Sequence, residues 1–538
     1  MKQLLLYPAT LQHLRPIQAA HLVRDRLFRL LGSSLRGDDA TLKRTPPLTL
    51  RAALNLPPYA KKSADRLEMD IFGVRFDWRK GVVWYEDRRD GLRPETLYYL
   101  EFLLHFLPDE AGFAADVALD FLRWAPRRPP QFAAYTAARR LTVLCAIAAC
   151  LPPDSPKRRQ LLNAATQHAR ILFCHTEHHL SANHLLKCVK GLLWAGYFLR
   201  HKEAARWLAK GRFLWRRVLR KQFLPSGCHY ERCCGYHCAV VEDLLDVVAA
   251  SRVVGDERIA SCTKKVLERA LRFLVTILHP DGTLPLFGDT AAGLAPQPAD
   301  ILRSAETLGL RPPVVENGPF VFADAGFYGA RFGGDFLVVT AGRTGAPDQP
   351  GHAHCDFGSF ELSLGGRRVV TDTGVYDYTA GARRDWARST AAHNVAQPDN
   401  LEQARFWAVH RFAEVSCPRA VRWRYEGKSG RLILQIVGSV YHRYGLLWIR
   451  RLVFQTNRVE ITDQVNGADF VCRLHLAPEW RYEDGTILAE DTRLSLKASG
   501  SISTEKKPLW EHFYRERQRL CIIVRGRNRI WVRIKRCI

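Results

Sequence analysis

The chain has 538 residues, 47% of them hydrophobic, with 26 Phe and 13 Trp. That length favours two domains, and that apolar content excludes a disordered polypeptide. Lys and Arg number 80 against 54 Asp and Glu, a formal charge of +26 that draws polyanions: nucleic acid, acidic polysaccharide or an anionic membrane surface.

Met1–Pro8 carries a short apolar run without a small-residue cleavage site, so no signal peptide is expected. No run reaches the ~18 apolar residues that span a bilayer. The 14 cysteines follow no zinc-ribbon spacing, and Cys233, Cys234 and Cys238 have no second pair to match them. Free thiols in a reducing compartment are the expectation, which favours the cytoplasm, with the periplasm as the alternative. Between His13 and Leu31 the residues Ile17, Leu22, Leu27, Leu30 and Leu31 fall near one helical face with basic residues opposite. A helix packed on the domain it precedes is a commoner use of that pattern than a membrane-surface helix.

From Glu95 to Leu310 the helical period dominates, with helices expected at 94–107, 134–151, 158–175, 183–199, 202–222, 235–254 and 258–278. Short Pro, Gly and Ser connections between such helices predict antiparallel hairpins stacked into a solenoid that can close toward a ring. At the Pro- and Gly-rich stretch around Pro313 the period changes. Strands are expected at 320–332, 335–341, 359–364, 367–371, 409–415, 420–425, 432–440, 446–455, 458–465, 470–476, 522–525 and 530–534. The chain is thus expected to be α+β and multidomain: an N-terminal helical extension over 1–60, a helical domain over 61–312, and an antiparallel β-sandwich over 313–538. A cleft between the latter two is a usual place for a site. The basic stretch Arg525–Arg536 alternates as a strand with a solvated basic face, which makes nucleic-acid binding the lesser reading of the charge.

Four stretches carry residues suited to chemistry. Glu177–His184 and Gly227–His237 each run from a loop into a helix, Gly351–Leu362 places His352 and His354 two residues apart, and Thr371–Tyr376 is followed by Arg388–Asn394. If 352–354 is extended, both imidazoles face one side. Each stretch also has a structural use: Ser181 or Asn183 as a helix cap, Tyr236 and His237 as core residues with a polar end, Asp372 in a turn. Together they place Asn, Tyr and several His on loops of both halves.

The run from Gly351 to Asn394 resembles the heparinase II/III-like family of polysaccharide lyases. The resemblance rests on Gly351-His-Ala-His-Cys-Asp356, Asp372-Thr-Gly-Val-Tyr376 and Arg388-Ser-Thr-Ala-Ala-His-Asn394, supported by Asn183-His184, Gly227-Cys-His-Tyr-Glu231, Tyr236-His237 and Asp281-Gly-Thr-Leu-Pro-Leu-Phe-Gly-Asp289. It covers roughly residues 60 to 480. It implies an incomplete (α/α) toroid followed by an antiparallel β-sandwich, and β-elimination on a uronate-containing polysaccharide. It further implies that Asn183 hydrogen-bonds the uronate carboxylate, with His184 as helper. Tyr236 and His352 become the acid and base in an order left open, Arg388, Glu231 and His237 substrate contacts, and His354, Asp372 and His393 ligands of a structural divalent metal, usually zinc. Lys187 stands where some relatives carry an acid, and Cys233 and Cys234 where small polar residues are common, which leaves the substrate open. A hydrolase using Glu231 and Asp289 would leave the Asn, Tyr and His unexplained. The other alternative is a non-catalytic polyanion-binding protein of polysaccharide assembly or export.

Overall fold

A computed structural model describes residues 15–31, 36–49, 59–63, 66–79, 84, 92–125, 133–293, 295–311, 313–348, 350–415 and 417–537. The N-terminal helix is present as α1 (Pro16–Leu31). Three antiparallel strands follow, β1 (Tyr59–Ser63), β2 (Arg66–Ile71) and β3 (Val74–Arg79), a small sheet in a region with no strand expected. Leu67, Met69 and Ile71 alternate inward from β2 and join the helical core.

The helical half comprises α2 (Leu92–Tyr99), α3 (Ala111–Trp124), α4 (Ala134–Ala149), α5 (Pro156–Cys174), α6 (Ala182–Phe198), α7 (Ala204–Gln222), α8 (Cys234–Val254), α9 (Glu257–Ile277) and α10 (Pro298–Thr307). Six of the seven expected helices lie within two residues of their expected bounds. The helix expected over 94–107 is broken instead: α2 ends at Tyr99, Leu100 takes a left-handed φ of 62°, and Glu101–Phe106 continues as 3-10 helix. The break turns Tyr99 and Glu101 toward the pocket described below. The helices share one core in which α6 is buried on nearly every side. Each fully buried Leu, Ile or Phe there contributes ~1.5–3 kcal/mol.

The other half is built on two antiparallel sheets. The first has the order β8-β7-β6-β5-β4, from β4 (Gly318–Phe322), β5 (Phe327–Phe332), β6 (Asp335–Thr340), β7 (Phe360–Leu364) and β8 (Arg367–Val370). Its residues alternate between two hydrophobic environments. Phe336 and Val338 pack against Phe273 and Ile277 of α9, while Leu337 and Val339 pack against the second sheet. Burial on both faces explains the continuous apolar runs of these strands. In chain order a short helix, α11 (Ala382–Arg388), comes between β8 and the second sheet. The second sheet contains β9 (Ala396–Pro398), β10 (Pro418–Glu426), β11 (Arg431–Gly438), β12 (Trp448–Gln455), β13 (Arg458–His475), β14 (Arg481–Glu483), β15 (Thr486–Ala489), β16 (Thr492–Ala498), β17 (Ser501–His512) and β18 (Arg515–Arg536). Its main path is β10-β11-β12-β13-β18-β16-β15-β14. The stretches 458–465 and 470–476 join into the single strand β13, with a register shift between Gln464 and Asp469. Residues 409–415 form only the two-residue strand Arg411–Phe412. Among the described residues no helix is long and apolar enough to cross a membrane, and all 14 cysteines are free thiols.

Candidate active site

Two helix N-termini face the sheet half. Asn183 and His184 occupy the first turn of α6, and Tyr236 occupies the first turn of α8. Helix starts present unpaired N–H groups and favour anions. The entry to α6 is strained: Ser181 and Ala182 have φ of 55° and 46°. The Tyr230 hydroxyl holds this entry, lying 3.0 Å from both Ser181 Oγ and Ala182 N. Non-glycine residues persist in that region only where surrounding contacts fix them, and functional sites are where they cluster.

Asn183, His184, Tyr236 and His352 line one cavity of about 610 Å³ between the halves. The Tyr236 and His352 rings stack with centroids 3.6 Å apart. The Tyr236 hydroxyl lies 3.1 Å from that of Tyr378, another wall residue. Burial pushes both phenols well above the ordinary tyrosine range, so both remain protonated.

His352 and His354 lie in an irregular loop rather than a strand, yet both reach one carboxylate. His352 Nδ1 is 2.9 Å from Asp289 Oδ2, and His354 Nε2 is 2.8 Å from Asp289 Oδ1. Arg384 of α11 donates from both terminal nitrogens to the same two oxygens. Burial alone would raise the Asp289 carboxyl; the guanidinium charge and the two imidazole hydrogen bonds overcome it and hold the group well below the carboxylate range. An ionised Asp289 requires a proton on His352 Nδ1, so Nε2 is the ring nitrogen turned to other partners, with Glu231 Oε1 3.9 Å away.

His184 Nδ1 lies 2.8 Å from Glu177 Oε2. Burial opposes charge on the imidazole, but the Glu177 hydrogen bond and charge outweigh it and hold His184 above its usual value. Asn183 Nδ2 lies 3.2 Å from both oxygens of Glu231. Glu231 is therefore an anchor for the Asn183 amide, buried behind it, and the expected substrate contact is corrected accordingly.

Two more expected substrate contacts lie outside the cavity. His237 Nε2 donates to Ala270 O at 3.0 Å and its Nδ1 accepts from His229 N, a satisfied core histidine that burial lowers to about 4. Arg388 is fully buried, stacked on Phe406 and Phe412, and donates to the carbonyls of Ala408, Val409 and Arg411. It staples a loop, while Arg384 one turn earlier is the arginine that meets Asp289. Lys187 turns away from the cavity into a buried pair with Asp243 at 2.5 Å.

The expected metal ligands are all buried and adjacent. His393 Nδ1 lies 2.6 Å from Asp372 Oδ1, and the His354 and His393 rings are 5.4 Å apart. Asp372 also accepts from Ser359 Oγ and Thr373 N. His354 Nδ1 and His393 Nε2 are buried without a hydrogen-bond partner, while each ring's other nitrogen meets a carboxylate. That is the pattern of metal-binding histidines, so the donor types fit a divalent ion. Asp372 itself spends its oxygens on protein donors. Among the described residues the one tight cluster of potential ligand atoms, all within 4.8 Å, is Asp289, His352 and His410. Arg384 already occupies both Asp289 oxygens there, and its charge repels a cation.

Sequence reasoning missed Tyr378, Arg384 and His410, and considered Asp289 only as a hydrolytic acid. Asp289 closes a quoted family stretch, and the four-residue step from Arg388 to Arg384 is one helical turn, so both lay close to a visible signal. A hydrolase would need one carboxyl held protonated. Asp289 and Glu231 are both held ionised by their partners.

Residues 157–302 match the heparinase II/III N-terminus and residues 315–533 match the heparinase II/III-like C-terminal domain, together more than half of the chain. A heparin-sulfate lyase of Pedobacter heparinus is 27% identical over 260 residues, 45% of this chain and 39% of that protein. A heparin-sulfate lyase of Bacteroides stercoris is 25% identical over 314 residues, 53% of this chain and 44% of that protein. The matched stretch thus spans about two fifths of each relative. The crystal structure of a heparinase III superposes with a TM-score of 0.69 at 14% identity, covering 84% of this chain and 78% of that one, which speaks for the fold.

Proposed function

The chain belongs to the heparinase II/III-like family, and from that premise we propose that it is a polysaccharide lyase that cleaves an acidic, uronate-containing polysaccharide by β-elimination. We read the helical half as an incomplete (α/α) toroid and the paired sheets as a β-sandwich. The observation that carries the functional reading is the pocket itself. It sets an aligned Asp289–His352 pair and a protonated Tyr236 beside Asn183 and His184 at a helix N-terminus.

The uronate carboxylate sits at the start of α6, where Asn183, held by Glu231, and the cationic form of His184 stabilise charge as it develops. His352 Nε2 takes the C5 proton, and the resulting imidazolium is stabilised by Asp289. The C5–H electrons form the C4–C5 double bond as the C4–O4 bond breaks, and the Tyr236 hydroxyl protonates O4. No water enters the products. Tyr378 holds the Tyr236 hydroxyl in place. His354 and His393, with Asp372 behind His393, are the residues that would hold a divalent ion, zinc by its donor types. Such an ion would brace the floor beneath His352.

The test is incubation with a panel of uronate polymers, followed by ultraviolet absorbance of unsaturated uronate. A rise that disappears in Tyr236→Phe supports the reading. Binding without any rise would favour a non-catalytic polyanion-binding protein.

A further inference from the structure

One wall of the cavity is made by two hairpin tips that meet from opposite halves of the molecule. The β2–β3 tip carries Phe72 and Gly73, and the β17–β18 tip carries Phe513 and Tyr514. The Phe72 ring lies 5.9 Å from that of Phe513 and 5.4 Å from that of Tyr514. Arg93 ties them further: its guanidinium lies 3.8 Å over the Tyr514 ring and its Nη2 donates to Phe72 O. Leu92 N donates to the Tyr514 hydroxyl at 2.9 Å. From below, Phe513 N donates to Ala292 O, and a Cβ on Gly293 would stand 3.3 Å from the Phe72 ring. The contact is packed tightly enough that a polymer strand cannot pass through it.

Phe72, Gly73, Gly293, Phe513 and Arg515 all line the cavity that holds Tyr236 and His352. Arg515 is exposed and engages no ion pair among the described residues. The cavity of about 610 Å³ is the size of a site for a small ligand or short oligomer.

We propose that the two joined tips block one end of the cleft, so that the enzyme works at a chain end, with Arg515 receiving a carboxylate of the terminal unit. This rests on the lyase reading above. A chain entering the cleft must stop at the Phe72–Phe513 contact, which limits the units beyond the cut bond. Arg is suited to the stop because it pairs with carboxylate through two parallel hydrogen bonds.

The experiment follows the wild-type enzyme on a long uronate polymer by unsaturated-uronate absorbance and by size-exclusion chromatography. Short unsaturated products are expected from the first minutes, with the polymer peak shrinking but shifting little. Phe72→Gly removes the ring at a position whose φ of 52° glycine adopts freely; mid-sized fragments should then appear early. Arg515→Gln should raise KM for short oligosaccharides about tenfold by losing a charge-assisted hydrogen bond, with kcat little changed. Early mid-sized fragments from wild type, or identical products from Phe72→Gly with an unchanged melting curve, would overturn the proposal while leaving the lyase reading intact. Absence of absorbance with every polymer would remove the lyase reading and this proposal with it.

Discussion

Replacing Asp289 with Asn should separate the catalytic role of the loop from its packing. Asp289 is fully buried and accepts from His352 Nδ1 at 2.9 Å, His354 Nε2 at 2.8 Å and both terminal nitrogens of Arg384. An amide offers one oxygen and presents N–H groups where the second oxygen was, so at least one donor faces another donor. The Arg384 charge also loses its counter-ion, and breaking a buried pair from one side costs about 3–5 kcal/mol of stability. Folded enzyme should lose far more activity than that. Without a carboxylate at Nδ1, the His352 proton can move to Nε2, which removes the base, and a wrong tautomer costs roughly 10⁴ in kcat. The assay pairs the initial rate of unsaturated-uronate formation with thermal unfolding, at a temperature where the variant remains folded. A kcat within about threefold of wild type would refute the assignment, because general base catalysis is worth at least ~10².

Tyr236→Phe should lower kcat by roughly 10²–10⁴ while the melting curve stays in place, since only the hydroxyl is lost; retained activity would move the acid elsewhere. His184 is held above its ordinary 6.5 against burial by Glu177, so its positive charge is complete below that value and lost as pH rises through the raised one. KM for a uronate substrate should accordingly rise with pH, and Glu177→Gln should move that rise to lower pH; superimposable KM profiles would count against the pairing. Arg388→Gln should leave KM unchanged but destabilise the protein by about 1–3 kcal/mol for each buried carbonyl left unpaired, read by denaturant unfolding. Purified protein should carry about one divalent ion per chain by elemental analysis, lost in His393→Ala together with part of the thermal stability; metal-free protein with full activity and stability would dismiss the ion.

Period and punctuation in the sequence were enough to locate the change from helices to sheets near Pro313. Long helices such as α6 and α8 announced themselves through apolar runs of helical length, and the strands around Phe336 through shorter apolar runs buried on both sides. The break at Leu100 was not legible, because a single left-handed residue in an apolar run leaves the periodicity intact. The three strands over 59–79 carry mixed charged and apolar residues, and their fit depends on the helical core that Leu67 and Met69 enter. In the site, loop–helix and loop–sheet junctions with unusual residue types marked the stretches, and the family resemblance picked Asn183, His184, Tyr236 and His352 out of them. Asp289 and Arg384 lay beside such signals, but the contacts they make, like that of Tyr378, cross 63 to 142 residues of sequence and were not legible. Arg388 misled for the converse reason: its type suits an anion, and only its burial against carbonyls shows that it has no room for one.

Elimination in the pocket leaves a signature in its products. The most direct measurement is mass spectrometry of oligosaccharide products from a defined uronate oligomer, alongside the ultraviolet signal. Elimination gives one product bearing a C4–C5 double bond and summed product masses equal to the substrate mass, with both signals absent in His352→Ala. Products whose summed mass exceeds the substrate by one water, or an unchanged oligomer with every uronate tested, would contradict it.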